Sequence, residues 1–149
     1  MVESSREKLV ILLVEDNAGD VYLVREALEE AGFPHTLHVV CNGCKAIDFL
    51  RNQAIGSDTW PDLMILDLNL PGKNGREVMA EMQCEPVLKS LPVAVLSTSR
   101  SECHIGRDFP QLYSTFAAKT PDFHELVNII RRFKDFADGH SQAGASRER

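Results

Sequence analysis

Apolar residues along the chain follow two alternating patterns. Short runs are apolar at nearly every position, which is typical of strands covered by helices on both faces. Longer segments repeat apolar residues every three or four positions, which predicts helices with one buried face. The short runs predict five strands, at residues 9–14, 36–41, 63–66, 92–96 and 115–118. The longer segments predict five helices, at residues 20–31, 44–51, 76–83, 102–107 and 123–136, with a further turn beginning at Pro86.

Strands that alternate with helices indicate an α/β fold with a doubly wound and mostly parallel sheet. The 149 residues suffice for one domain, which we expect to span residues 8–137. Residues 138–149 are polar and lack periodicity, so a disordered C-terminal tail is expected there.

The charge and the apolar runs of the chain bear on its partners. A net charge of −6 argues against binding of nucleic acid, because phosphates require a basic surface. The longest apolar run without a charge, residues 9–14, is much shorter than a membrane span. The N-terminal sequence MVESSREK also lacks the layout of a signal peptide. We therefore predict a cytoplasmic protein that binds neither nucleic acid nor membranes.

Polar residues with reactive side chains follow four of the predicted strands. Glu15 and Asp16 follow the first strand, Asp67 the third, Ser97 the fourth and Lys119 the fifth. In open parallel sheets ligands bind at the carboxyl ends of the strands, so these side chains are expected to converge. Each residue alone could be a helix cap or an exposed charge, but the joint pattern is much more specific.

Other polar residues near these positions are assigned no chemistry. Asp20 follows Asn17 by three residues and is interpreted mainly as part of a cap on the first helix. Cys41 and Cys44 form a Cys-x-x-Cys pair, but the sequence has no second pair at metal-ligand spacing. Both cysteines are interpreted as small, half-buried side chains around a turn.

Three converging carboxylates would repel one another unless a cation lies between them. Magnesium prefers hard oxygen ligands and takes one or two carboxylates while it keeps several waters. We predict Asp16 and Asp67 as direct ligands of Mg²⁺ and Glu15 as a ligand through a water. The backbone carbonyl of Asn69 is expected to complete the protein's share of the site.

A carboxylate beside a cation can attack phosphorus and form an acyl phosphate, provided that the charge of the transferred group is neutralised. Asp67 is the predicted nucleophile, and the cation and Lys119 would neutralise the phosphoryl group from two sides. Ser97 is expected to hydrogen-bond a phosphoryl oxygen. The loop LPGKNG, residues 70–75, would allow the phosphoryl donor to approach.

The strand-end motifs resemble those of a known family. Glu15-Asp16 after LVILLV, Asp67 in LMILDLNLPGKNG, Ser97 in VAVLSTS and Lys119 in FAAKTPD are similar to the receiver domain of two-component response regulators. The resemblance covers residues 8 to about 137. It implies a flavodoxin-like fold with strand order 2-1-3-4-5, and a phosphohistidine on a sensor histidine kinase as the phosphoryl donor.

The resemblance also implies a role for each matching residue. Asp67 would be the phosphoacceptor, and Glu15, Asp16 and the Asn69 carbonyl would form the magnesium site with it. The residues that would bind the phosphoryl group or respond to it are the switch hydroxyl Ser97, the switch aromatic Phe116 and the phosphoryl-binding Lys119.

Further details resemble the single-domain response regulators associated with cyanobacterial phytochromes. They are the motifs VEDNAGD, DLNLPGKNGREV and VLSTS and the insertion NQAIGSDTWPDL. This resemblance implies a phytochrome as a possible kinase and a protein without an output domain. It also implies a homodimer through the face formed by the predicted helix at 102–107, the fifth strand and the last helix.

Two positions depart from the family pattern. The family usually has proline after the lysine, with a cis peptide bond, whereas Thr120 follows Lys119 here. A cis bond before a residue other than proline is energetically costly, so the sequence leaves the position of Lys119 open. Phe116 stands where tyrosine is common, which keeps the aromatic ring and removes its hydroxyl.

The last predicted helix has apolar residues over about half of its circumference, more than packing one face on a sheet requires. Three of them, Ile129, Phe133 and Phe136, lie toward one edge of this arc. We expect that edge, together with Phe109 and Tyr113, to be covered by a second subunit. The alternative is an apolar helix covered by the C-terminal tail of the same chain.

Three other functions are compatible with parts of the pattern. An aspartyl-phosphate phosphohydrolase also uses aspartate, a hydroxyl, lysine and magnesium, but it places the nucleophile after the first strand. A flavin mononucleotide carrier would need a phosphate-binding loop where Glu15 and Asp16 would repel the phosphate. A degenerate receiver that binds partners constitutively stays open because of Thr120. The leading hypothesis is a signalling module rather than an enzyme, with no turnover beyond its own phosphoryl uptake and hydrolysis.

Overall fold

The fold was determined from a computed structural model that describes residues 8–53, 57–97, 107, 109 and 115–147. Five parallel strands form one sheet in the order β2-β1-β3-β4-β5, which confirms the predicted α/β fold. The strands are β1 (Leu9–Val14), β2 (His35–Val40), β3 (Leu63–Leu66), β4 (Val93–Ser97) and β5 (Phe116–Ala118). The helices are α1 (Ala18–Ala31), α2 (Gly43–Arg51), α3 (Gly75–Gln83), the single turn α4 (Pro86–Lys89) and α5 (Phe123–Arg147).

The register of the strands brings their carboxyl ends to one edge of the sheet. Val14, the last residue of β1, pairs with Leu66, the last residue of β3. Ser97, the last residue of β4, pairs with Ala118, the last residue of β5. The residues that follow these strand ends therefore lie side by side, as expected for an open parallel sheet.

Helices cover both faces of the sheet, which explains why the strands are apolar at almost every position. Alternate residues of β1 point to opposite faces. Leu12 and Val14 pack in a core with α2 and α3. Ile11 and Leu13 pack in a second core with α1 and α5. Both cores extend to the strand ends, so the edge that carries the polar residues rests on a closely packed base.

Asparagine side chains fix where three helices begin. The Asn17 side chain accepts a hydrogen bond from the backbone of Asp20 at 2.9 Å, and the Asn42 side chain accepts one from Lys45 at 2.8 Å. Asn74 forms a capping box, in which it and Glu77 each accept a bond from the other's backbone N–H at 2.9 Å. Such caps satisfy backbone donors that have no partner inside the helix.

The C-terminal helix differs from the sequence prediction. The helical backbone continues to Arg147, whereas the pattern predicts a helix that ends at Phe136 and a disordered tail over 138–149. Extending an existing helix requires only one residue at a time to be ordered, and the sequence after Phe136 contains no proline to stop it.

The helix predicted at 102–107 lies almost entirely outside the described residues. In the part of the chain that is described, no helix is both long enough and apolar enough to cross a membrane.

Candidate functional site

Three carboxylates meet at the carboxyl edge of the sheet. Glu15 and Asp16 follow β1, Asp67 follows β3, and one carboxylate oxygen from each lies within 4.8 Å of the other two. Glu15 is 4% exposed and Asp67 3% exposed, whereas Asp16 is exposed. Two carboxyl groups are thus buried side by side, with a third at the surface beside them, and ionisation of such a cluster requires positive charge nearby.

The ammonium group of Lys119 supplies positive charge within this cluster. Its Nζ lies 3.0 Å from Glu15 Oε1, 3.1 Å from Asp67 Oδ2 and 2.8 Å from Asp20 Oδ2. The backbone N–H of Lys119 donates to the carbonyl of Ser97 at 2.7 Å, which ties the end of β5 to β4. Peptide bonds in the described part of the chain are all trans, including the bond between Lys119 and Thr120. Lys119 therefore reaches the site although the residue after it is threonine rather than proline and the peptide bond between them is trans.

The two carboxylate oxygens of Asp67 have different surroundings. Oδ1 accepts hydrogen bonds from the hydroxyl of Ser97 and from the backbone N–H of Asn69, each at 3.0 Å. Oδ2 faces the ammonium of Lys119. The buried Ser97 Oγ also accepts bonds from the Asn69 side chain at 3.3 Å and from the Leu68 backbone at 3.4 Å. These contacts fix the orientation of the Asp67 carboxylate.

The loop after β3 is held in place by apolar side chains and by glycine. Leu68 and Leu70 are both buried and pack in the core with α2 and α3. A Cβ atom on Gly75 would lie 2.7 Å from the carbonyl oxygen of Asp67 and 2.6 Å from the Cα of Leu68, which is too close for any other residue. Gly72 has φ of 66°, a conformation that glycine adopts without steric cost. Close packing at Leu68, Leu70 and Gly75 therefore fixes the loop where it leaves β3 and where it enters α3, whereas Pro71 and Gly72 between them are exposed.

The charges of the site shift the ionisation of Glu15 and Lys119. Burial raises the pKa of Glu15 to about 7, with a contribution from the charge of Asp67, although the hydrogen bond from Lys119 acts in the opposite direction. Burial alone would lower the pKa of Lys119, but hydrogen bonds to Asp20 and Glu15 and the charge of Asp67 outweigh burial and raise it. Lys119 is therefore charged at neutral pH, and Glu15 holds a proton more readily than an exposed glutamate does.

The structure brings together the residues that the strand-end pattern singles out, namely Glu15, Asp16, Asp67, Ser97 and Lys119. Asn69 lies beside them, with its backbone N–H bonded to Asp67. The use of its carbonyl as a metal ligand stays a prediction.

The sequence interpretation missed Asp20. Its backbone takes part in the predicted cap, but its side chain bonds Lys119, which is 99 positions away in the chain. The spacing between Asn17 and Asp20 predicts only the cap. The contact between Asp20 and Lys119 depends on how the sheet positions α1 relative to β5.

Cys41 and Cys44, expected to be half-buried, are exposed thiols.

The surface predicted to form a dimer needs one correction. Phe133 is 1% exposed because it packs in the core between α1 and the sheet, so it is not available to a second subunit. Ile129 and Phe136 are partly buried against the same core, and Phe109 is partly buried against the other one. Tyr113 lies outside the described residues.

A groove of about 440 Å³ runs along β5 and α5 on this side of the protein. Phe116, only 8% exposed, contributes to its wall. The other lining residues are Ala117, Ala118, Glu125, Asn128, Ile129 and Arg132.

Comparisons with known proteins agree with the fold. Residues 11–131 match the family model of the response regulator receiver domain. Response regulator Rcp1 of Synechocystis sp. is 36% identical over 137 residues, which are 91% of this chain and 93% of that protein. The crystal structure of the phosphorylated cyanobacterial phytochrome response regulator RcpA is 39% identical, with a TM-score of 0.73 over 87% of this chain and 93% of that one. The Mn²⁺-bound form of Rcp1 is 36% identical, with a TM-score of 0.71 over 86% of this chain and 93% of that one.

Proposed function

This chain belongs to the response regulator receiver-domain family, and from that premise we propose that it accepts a phosphoryl group on Asp67 from the phosphohistidine of a sensor histidine kinase. The observation that carries the proposal is the environment of Asp67. This carboxylate is buried at a strand end, one of its oxygens is held by Ser97 and Asn69, and the other lies 3.1 Å from the Lys119 ammonium. Such an arrangement presents an oriented nucleophile beside fixed positive charge.

The donor set fits a magnesium ion. Three carboxylates lie within 4.8 Å of one another, and the ammonium of Lys119 compensates only part of their charge. Asp16 and Asp67 would bind Mg²⁺ directly, Glu15 would bind it through a water, and the carbonyl of Asn69 would complete the protein ligands. When bound, the ion would neutralise charge on the phosphoryl group and on the carboxylates around it.

In the transfer step, an oxygen of Asp67 forms a bond to the phosphorus atom. The bond from phosphorus to the imidazole nitrogen breaks, and its electron pair stays on the imidazole. Lys119 donates hydrogen bonds to the phosphoryl oxygens, and the Ser97 hydroxyl turns from the carboxylate to one of them. The buried loop of Leu68 and Leu70 keeps Asp67 in place during the reaction.

The proposed kinase is a phytochrome. Support comes from two relatives of known structure, the cyanobacterial phytochrome response regulator RcpA at 39% identity and the bacteriophytochrome response regulator AtBRR at 30% identity. We propose that the phosphorylated state is read through a changed surface at β5 and α5. Ser97 at the end of β4 pairs with Ala118 of β5, and Ala118 lines the groove together with Phe116.

The first test is the intact mass of the protein after incubation with acetyl phosphate, with Mg²⁺ in one sample and excess chelator in a matched one. We expect a gain of one phosphoryl group with Mg²⁺, and a rate at least about a hundredfold lower with the chelator, since Lys119 alone then compensates only part of the carboxylate charge. An unmodified mass in both samples, from protein with a native circular dichroism spectrum, would contradict the proposal.

The raised pKa of Glu15 predicts that Mg²⁺ binding depends on pH. A cation favours the ionised carboxylate, so binding must release the proton that Glu15 carries below its pKa of about 7. We expect the apparent affinity to fall by up to about tenfold from pH 7 to pH 6 and to level off above pH 8. Calorimetric titration at these pH values measures it. The Glu15→Gln variant should bind more weakly with a flat profile, and a flat profile in the wild type would refute the assignment.

We propose further that the chain forms a homodimer through the side of α5 that includes Ile129 and Phe136. Both residues are only partly buried by their own chain. Light scattering after size-exclusion chromatography should give twice the monomer mass at micromolar concentration, and Ile129→Glu should give the monomer mass. A monomer in the wild type, with and without a phosphoryl analogue, would rule this interface out.

A further inference from the structure

We propose that Asp20 is a positioning residue for phosphoryl transfer, because its carboxylate lies 2.8 Å from the Lys119 ammonium and anchors it. The inference rests on the proposed function and adds a residue outside the metal and phosphoryl sites. It starts from the hydrogen-bond capacity of Lys119. A lysine ammonium has three N–H donors, and three carboxylates lie within hydrogen-bonding distance of this one.

The three partners of Lys119 differ in what the reaction requires of them. Asp67 gives up its negative charge on the oxygen that bonds to phosphorus, and Glu15 belongs to the proposed magnesium site. Asp20 takes part in neither event, and at 2.8 Å it is also the nearest of the three to the ammonium. It is therefore the partner that can keep its hydrogen bond throughout, which leaves the other two N–H donors free to turn to the phosphoryl oxygens.

Asp20 is itself held in a fixed place. Its backbone N–H donates to the side chain of Asn17 at 2.9 Å in the first turn of α1. Helix α1 is anchored by Val24, Ala27 and Leu28, which are all buried in the core shared with α5. Lys119, in contrast, lies just after the end of β5, and its ammonium is carried on a flexible four-carbon stem. A carboxylate carried by a packed helix thus restricts a charged group that would otherwise have several positions.

Exposure sets the size of the effect. The Asp20 side chain is 35% exposed and that of Lys119 is 25% exposed, so water weakens the pair relative to a fully buried one. We expect Asp20→Asn to slow phosphorylation of Asp67 by acetyl phosphate roughly fivefold, the order of one partly screened hydrogen bond between charged groups. The control is Glu26→Gln, which removes the same charge from an exposed position on α1 and should leave the rate unchanged.

A double-mutant cycle separates positioning from a general effect of charge. If Asp20 acts through Lys119, Asp20→Asn should have no further effect on the rate in a Lys119→Ala background. An electrostatic effect of Asp20 on the incoming anion would persist in that background and would overturn the inference. A wild-type rate for Asp20→Asn would overturn it as well.

A second readout needs no phosphorylation and covers the case in which Lys119→Ala reacts too slowly to time. The side-chain ammonium of Lys119, assigned in ¹⁵N-labelled protein by its absence in Lys119→Ala, should give an NMR signal protected from exchange with water. This protection should be lost in Asp20→Asn and kept in Glu26→Gln. Unchanged protection in Asp20→Asn would refute the anchoring contact, whereas failure of the wild type to gain a phosphoryl group would refute the proposed function instead.

Discussion

Asp67→Asn is expected to abolish phosphoryl uptake while preserving the fold. An amide has the shape of the carboxylate but lacks the anionic oxygen that attacks phosphorus, so no acyl phosphate can form at this position. Its oxygen can still accept the hydrogen bonds that Asp67 Oδ1 receives from Ser97 and Asn69. We expect no gain in intact mass under conditions that modify the wild type completely, and Mg²⁺ affinity lower by at least about tenfold from loss of a charged ligand.

The same substitution should not destabilise the protein. Glu15 and Asp67 are buried neighbours, and the charge of Asp67 is one of the causes that raise the pKa of Glu15. Removing that charge relieves repulsion, so the free energy of unfolding without Mg²⁺ should stay equal or rise by about 1 kcal/mol. Urea unfolding at pH 8 measures it. A large loss of stability would mean that the amide is not accommodated and that the lost phosphorylation has a trivial cause.

Asp62→Asn is the matched control for Asp67→Asn. Asp62 precedes β3 at the opposite end from Asp67, and its carboxylate accepts a hydrogen bond from the backbone of Val10 at 2.9 Å. The control removes one carboxylate charge near the same strand but far from the proposed site, and it should be phosphorylated at the wild-type rate. A phosphoryl group gained by Asp67→Asn would show that the acceptor is another residue.

The convergence of the site could be predicted because it follows from a simple rule of parallel sheets. Each strand was recognisable from its apolar run, and aligned strand ends place Asp67, Ser97 and Lys119 side by side whatever the details of packing. The orientations and hydrogen bonds of these side chains could not be predicted in the same way. The two different environments of the Asp67 oxygens depend on hydrogen bonds from the Asn69 backbone and the Ser97 hydroxyl.

The errors at Asp20 and Phe133 have one common cause, which is contact between elements that are distant in the chain. Asp20 has a local explanation as part of a cap, and that explanation hides its contact with Lys119. The sequence predicts an outer surface for Phe133 because the apolar arc of the last helix is wider than one sheet face requires. The structure accounts for that width: α5 packs on α1 as well as on the sheet, so a wider arc is buried by the chain itself.

Lys119→Met is expected to have opposite effects on metal binding and on phosphorylation. Methionine keeps much of the apolar stem and removes the ammonium, which now lies within 3.1 Å of both buried carboxylates. Mg²⁺ affinity should rise by about tenfold, because the ammonium no longer competes for Glu15 and Asp67. Phosphorylation by acetyl phosphate should slow by about a hundredfold, because nothing replaces the lysine at the phosphoryl oxygens. Calorimetry and intact mass measure the two effects.

Stability should fall in the same variant, and the loss should depend on pH and metal. The hydrogen bond from Lys119 opposes the rise of the Glu15 pKa, so without it the pKa lies further above its usual value. A raised carboxyl pKa means that folding is favoured by protonation, and stability is lost as pH rises through the folded-state pKa. We expect Lys119→Met to lose about 2 kcal/mol of unfolding free energy at pH 8 without Mg²⁺, and much less at pH 6 or with Mg²⁺.

Lys45→Met provides the comparison for Lys119→Met. Lys45 is exposed in the first turn of α2, near Cys41, and its loss changes the net charge by the same amount. The unfolding free energy of the Lys45→Met variant should depend on pH and Mg²⁺ as that of the wild type does. If Lys119→Met instead lost the same stability at pH 6, at pH 8 and with Mg²⁺, the lysine would contribute by packing alone. Its role as the cation that compensates the two buried carboxylates when Mg²⁺ is not bound would then be wrong.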